Sequence, residues 1–370
     1  MKENKVFILL CLLTIVCSGC WDQRLLKERG IVLIIGLDID KENYVTETVA
    51  FPISMMGSMN QESIIASDKG VTTRNARENM DKKVSEVLDF SKTRTFLFGE
   101  KVAKKSILPV MDTFYSESKS PLNARVAIVK GTAEEALSIT APEKPLISDY
   151  YYGLIESAVM IGDLPNVNVQ ETSSDLSTPE KDILIPLIEV MKEKNRAKVI
   201  GLALFDQDKM VGELSTKETK MYLLLNDSHK KKRTFTLKVK ETKKNNQKNY
   251  VNFNVLDTKR KLRVIEKNGN ISAHIDLHLD LGVNEYPLDH LNRKKVIDDL
   301  THNIEKQLTK VAERTIKKLQ KANCDGLAIG LRVKAFHNKI WEKSEWKEMY
   351  RDIPITVHIS TKIIEHGTTK

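Results

Sequence analysis

Long hydrophobic runs are missing from this chain. No stretch of the 370 residues strings together the run of about 18 apolar side chains that a membrane-spanning helix requires. Cysteine is scarce, with four in all, so a disulfide framework is excluded as the basis of the fold. Aromatic residues make up only 6%, too thinly spread for a base-stacking platform. Sequence motifs of catalysis are also lacking. There is no G-x-S-x-G elbow, no H-E-x-x-H, no Walker loop and no G-x-G-x-x-G behind a strand.

What is present begins at the N-terminus, MKENKVFILLCLLTIVCSGCWDQR. Lys2 and Lys5 precede eleven mostly apolar residues, Val6 to Val16, about half the length a spanning helix needs. A positive start, a short apolar core and small residues at Ser18 and Gly19 form the pattern of a secretory signal. Cys17 and Cys20 form a C-x-x-C pair, but a redox motif of that kind needs a βαβ setting, and this one closes a signal core. Cys17-Ser18-Gly19-Cys20 resembles a bacterial lipobox, with Cys17 in the place usually held by Leu. The resemblance implies a signal peptide over 1–19, S-diacylglycerylation of Cys20, and a mature chain that starts there. Two acyl chains anchor stably where one binds reversibly. Cys324 would then be the lone thiol of the mature chain, with no disulfide partner, and is expected in the core.

The rest has the composition of water-soluble domains, 29% charged and 41% hydrophobic. The net charge of +9 is concentrated in HKKKR (229–233), KETKKNNQK (240–248) and KRKLR (259–263). An exported chain without a helix-turn-helix or zinc-finger pattern is not expected to bind nucleic acid. The basic runs suit a solvated surface, with an anionic membrane face as the second reading.

Strands are expected over 30–55, joined by the turn DKEN, with a polar loop over 56–71 and helical spacing from Ala76 to Leu88. FLFGE (96–100) is a strand and 101–115 is helical. RVAIVKGTAEEALSI (125–139) is strand then helix, capped by Thr132 with Glu135 three residues on. Residues 161–182 are expected as loop and 183–192 as helix. KVIGLALF-DQDK-MVGEL (198–214) is a hairpin leading into a helix with a capping box at Ser215 and Glu218. A second hairpin, 261–283, turns at Asn268-Gly269, and a long amphipathic helix follows with Val296, Leu300, Ile304, Leu308, Val311 and Leu319 on its apolar stripe. A tryptophan-bearing helical segment (327–350) and a strand (355–364) close the chain. The fold class is therefore α+β: a mixed α/β N-terminal region over 20–195, as one or two units, and a C-terminal antiparallel sheet packed by the long helix over 198–366.

Candidate sites are few. On a strand His274, Asp276, His278 and Asp280 share one face, and His with carboxylate is zinc chemistry; the alternation equally suits a solvent-facing polar face. Tyr150, Tyr151 and Tyr152 beside Asp149 could line a ligand site or pack. No set of acid, base and nucleophile is assembled, so no catalytic, cofactor or metal residue is named. Cys20 is the one site residue.

These residues are similar to the Ger(x)C family, the lipoprotein C subunits of nutrient germinant receptors in endospore-forming bacteria. The likeness lies in GCWD (19–22) with Leu26 and IIGLDID (34–40), GEKVAKKSILPVMDTF (99–114), RVAIVKGTAEEAL (125–137), GLALFDQDKMVGEL (201–214), CDGLAIG with its Trp-bearing helix (324–346), and the last strand. Leu25 stands where the family generally has an acidic residue. The resemblance implies a non-enzymatic subunit on the outer leaflet of the spore inner membrane. It would assemble with a membrane-spanning A subunit and a transporter-like B subunit. Two other classes stay open: a lipoprotein that captures a small solute between domains, and an envelope hydrolase.

Overall fold

A computed structural model describes residues 29–54, 61–115, 120–141, 143–226, 232–240, 246–288 and 290–366. Residues 1–19, expected as a signal peptide, and Cys20 lie outside the described residues.

The first half builds an eight-stranded sheet in the order β10-β9-β8-β7-β6-β2-β3-β4. Its strands are β2 (Ile34–Ile39), β3 (Val45–Ser54), β4 (Gln61–Gly70), β6 (Thr95–Gly99), β7 (Arg125–Lys130), β8 (Leu184–Met191), β9 (Arg196–Asp206) and β10 (Lys209–Ser215). β2, β6, β7 and β8 run parallel, with an antiparallel hairpin added at each side. A small parallel pair, β1 (Arg29–Ile31) with β5 (Val87–Asp89), lies outside this sheet. The parallel strands are covered on both faces, so they are nearly continuous apolar runs such as TFLFG. Phe96 and Phe98 enter one core with Ile35 and Leu37, while Leu97 enters another with Ile34. The first core is covered by α1 (Thr73–Asp81), α2 (Glu100–Lys105) and α3 (Leu108–Tyr115).

The second core runs without a break from the sheet into the rest of the chain. It takes in α4 (Ala133–Leu137), α5 (Ile147–Met160) and α7 (Thr216–Leu225), with α6 (Val169–Leu176) between the last two in sequence. Beyond α7 lies a four-stranded sheet in the order β11 (Arg233–Lys238), β12 (Tyr250–Lys267), β13 (Asn270–Glu285), β14 (Ile355–His366). The first three are antiparallel and β14 is parallel to β13. α8 (Lys294–Lys321) packs its stripe of Leu300, Ile304, Leu308, Val311 and Leu319 into the same core. Three short helices, α9 (Ile329–Phe336), α10 (Asn338–Trp341) and α11 (Trp346–Tyr350), lead to β14. The architecture is mixed α+β, as expected.

Four local expectations are corrected. Residues 61–70 form a strand, not loop. β4 is an edge strand, so its side chains need no apolar alternation and the backbone of β3 sets its register. The stretch 184–191 is β8, not helix. A short apolar run buried on both faces has no period by which to tell the two apart, and Pro186 disfavours a helix interior. The helix begun at Thr73 ends at Asp81, leaving Val87 and Leu88 in β5. Within the expected loop 161–182, Val169–Leu176 is helical, started by the Asn168 side chain accepting from the Glu171 N–H at 2.8 Å. The expected boundary between residues 195 and 198 falls at the turn Lys192–Lys194 and left-handed Asn195. The hairpin beyond it is hydrogen-bonded onto β8, so the first sheet continues through this turn.

Candidate functional site

The expected polar face of β13 is present. Arg263 donates to Asp276 at 2.7 Å, His274 shares a hydrogen bond with Thr356 at 2.6 Å, and His278 with Ser360 at 3.0 Å. Lys259, Lys261 and Arg263 stand on the same open face, opposite His278, Asp276 and His274. Among the described residues no group of three His, Cys, Asp or Glu could hold a metal ion. The other basic runs fall largely outside the described residues.

The three tyrosines pin α5 to its surroundings. The buried Tyr151 hydroxyl donates to the Ala136 carbonyl at 2.8 Å. Tyr150 donates to the Ala197 carbonyl and accepts from its N–H at 2.7 Å, and Arg94 stacks over Tyr152. Thr132 accepts from Glu135 N–H as expected. The box at Ser215 and Glu218 is complete, and Glu218 also takes Lys318 of α8 at 2.8 Å.

Three of the quoted motifs converge on Asp38 of IIGLDID. Its carboxylate, almost wholly buried, accepts from the N–H groups of Ala133 and Glu134 at 2.9 Å each, joining β2 to the start of α4. Gly99 of FLFGE lies against it, and a Cβ there would stand 1.9 Å from Asp38 Oδ1. Burial pushes the Asp38 carboxyl above its ordinary range, against the two N–H groups that favour the charged form.

A buried polar assembly joins the first sheet to the C-terminal segment. Lys347, on α11, donates to both carboxylate oxygens of Asp182 at 2.6 Å, to Asp206 at 2.7 Å and to the Asn323 carbonyl at 3.2 Å. Asp182 leads into β8, and Asp206 ends β9. Asp182 also accepts from the N–H of Gln207 at 2.9 Å and of Asp325 at 2.7 Å. Asp325 in turn accepts from Ile329 N–H at 3.0 Å, Gly330 N–H at 2.7 Å and the Trp346 indole at 3.1 Å. The Tyr350 hydroxyl closes on the Cys324 carbonyl, and Tyr222 of α7 on the Gly326 carbonyl, both at 3.0 Å. Gly330 admits no side chain: a Cβ would stand 2.5 Å from Trp346 Nε1 and 2.6 Å from the Glu180 carbonyl.

The electrostatics follow from this geometry. Burial alone would depress the Lys347 ammonium, but the Asp182 and Asp206 carboxylates outweigh it and hold the group above its usual value. Burial pushes Asp325 from 3.8 up to about 7, opposed by the N–H groups of Gly330 and Ile329. Cys324 is fully buried and its thiol is pushed up by burial, so it packs, as expected, rather than reacts. The arrangement is a clasp: it offers no free nucleophile and fixes the C-terminal segment onto the first sheet. Asp182, Asp206 and Lys347 carried no functional assignment in the sequence, although CDGLAIG with its Trp-bearing helix and GLALFDQDK flank the contact.

Fold and motifs together define the class: the chain belongs to the GerAC-like (Ger(x)C) family of spore germination proteins. Residues 22–190 match the spore germination protein N-terminal domain, and residues 200–367 the spore germination B3/GerAC-like C-terminal domain. It is similar to spore germination protein GerQC of Bacillus cereus, 25% identical over 368 residues that cover 99% of this chain and 100% of the relative. It is also 25% identical over 403 residues to spore germination protein KC of Bacillus subtilis strain 168, covering 99% of this chain and 97% of the relative. The crystal structure of the GerBC protein has the same fold, with a TM-score of 0.60 at 18% identity over 89% of this chain and 96% of that one. Among the described residues, no helix is long and apolar enough to cross a membrane.

Proposed function

We propose that this protein is a lipid-anchored, non-catalytic subunit of a nutrient germinant receptor, held by Cys20 on the outer leaflet of the spore inner membrane. It serves germination by assembling with membrane-spanning A and B subunits and coupling their signal. The observation that carries this reading is the match to both germination domains, over residues 22–190 and 200–367, the first beginning two residues after the lipobox-like Cys20. The structure supports it in a second way. Lys347, Asp182 and Asp206 hold the C-terminal segment on the first sheet, as a rigid coupling piece requires. Solute capture between domains, the alternative, gains no support from the continuous apolar core that links the halves.

The test is affinity capture from detergent-solubilised spore inner membranes, with wild type and Cys20→Ala in parallel. Wild type is expected to bring down multi-span partners and the variant little or none. Wild type recovered alone, with saturable binding of a small solute by the purified protein, would replace this reading with solute capture.

A further inference from the structure

α8 turns its apolar stripe inward, and the opposite side carries cations in a line. Lys306, Lys310, Arg314, Lys317 and Lys321 are all exposed. Their steps of four, four, three and four residues place them within an arc of about 80° at 3.6 residues per turn. At 1.5 Å per residue the line extends about 22 Å. Other exposed lysines find acids nearby, as in Lys104–Glu100, Lys192–Glu135 and Lys198–Glu189. Among the described residues α8 forms one ion pair, Lys318 with Glu218, and none of the five takes part in it.

Further cations gather beside the line. Partial desolvation, and then the Arg314 charge, lower the Lys217 ammonium. Arg351 shares an open groove with Lys317 and Lys321, where Glu313 and Asp352 are the acidic residues. Lys217 and Arg351 bring the cations on and beside the ridge to seven, and the groove at its C-terminal end holds the carboxylates of Glu313 and Asp352.

We propose that this ridge is the surface the protein lays on an anionic phospholipid headgroup layer. The inference rests on the anchored reading and adds to it an orientation. Two observations favour lipid over a protein partner. A straight row of charges on a rigid helix meets a plane along its whole length. The row also lacks an apolar centre: no large hydrophobic side chain of α8 is exposed, whereas protein interfaces are built around one. Headgroup attraction needs none, because each cation near an anionic surface contributes separately.

The experiment is lysine acetylation, read by mass spectrometry, on the full lipidated chain floated with vesicles. One set is phosphatidylcholine alone and the other contains phosphatidylglycerol. Lys306, Lys310, Lys317 and Lys321 are expected to label several-fold more slowly on phosphatidylglycerol, while exposed Lys101 on α2 and Lys144 in the loop before α5 are unchanged. Salt near 1 M, where the screening length is about 3 Å, is expected to erase the difference. The double substitution Lys310→Glu, Lys317→Glu, confined to the exposed side, is expected to remove the protection of Lys306 and Lys321. Equal labelling on both lipids overturns the proposal. So does protection that appears on phosphatidylcholine only when membrane-spanning subunits are added, which assigns the ridge to a protein. A chain that floats with phosphatidylglycerol but not with phosphatidylcholine supports the ridge and overturns the lipid anchor. A chain that floats with neither overturns both.

Discussion

Lys347 and Asp182 stand 165 positions apart in the chain, and the ammonium of one lies 2.6 Å from both carboxylate oxygens of the other. Asp182 is almost wholly buried and the Lys347 side chain is 23% exposed, so the pair is only weakly screened. Removing one partner of such a pair leaves an uncompensated charge, which for fully buried pairs costs about 3–5 kcal/mol.

Lys347→Met is therefore expected to lower unfolding stability by about 3 kcal/mol, near the bottom of that range because the lysine keeps some water. Urea denaturation of wild type, Lys347→Met, Asp182→Asn and the double variant measures it. The double variant should recover part of the loss, since it removes both charges together. Simple additivity of the two losses would show that the contact contributes no coupling.

Asp325 gives the fold a pH dependence with a definite sign. Its carboxyl is raised in the folded protein from 3.8 to about 7. Between these values the folded chain holds a proton that the unfolded chain has released, so stability falls as pH rises. The contribution is fully present below 3.8 and lost above about 7. Asp325→Asn cannot titrate. The stability advantage of wild type over this variant should be greatest near pH 4 and shrink toward pH 7 in denaturation series. A constant gap across that window would contradict the assignment.

Gly330→Ala forces a methyl group into the space between the Trp346 indole and the Glu180 carbonyl. Overpacking of this kind costs about 1–3 kcal/mol. The expected signature is a lower melting temperature together with a red shift of tryptophan emission, as Trp346 is pushed from its site. Gly153→Ala, inside α5 with open space around it, serves as the control: it should leave the emission unchanged and raise rather than lower the melting temperature.

Legibility in the sequence tracked the environment of each element. β12 and β13 have one face in the core and one in water, so alternation and the Asn268-Gly269 turn disclosed them. α8 was legible for the same reason at helical period. β8 was not, because burial on both faces erases the period, nor was β4, whose register is dictated by a neighbour. The clasp was visible only as quoted motifs. Asp182, Asp206 and Lys347 each look locally like an ordinary polar residue at the end of an element. Their meaning arises from pairing across 141 to 165 positions, which no local pattern encodes.

The clasp also imposes an order in time. A chain is made from its N-terminus, and early domains fold as they emerge. Asp182 and Asp206 are thus made well before the ammonium that neutralises them exists. A product cut short before residue 347 would keep both carboxylates and lack the only cation that meets them among the described residues. An incomplete copy is therefore marked by unneutralised carboxylates at its centre as well as by a missing end.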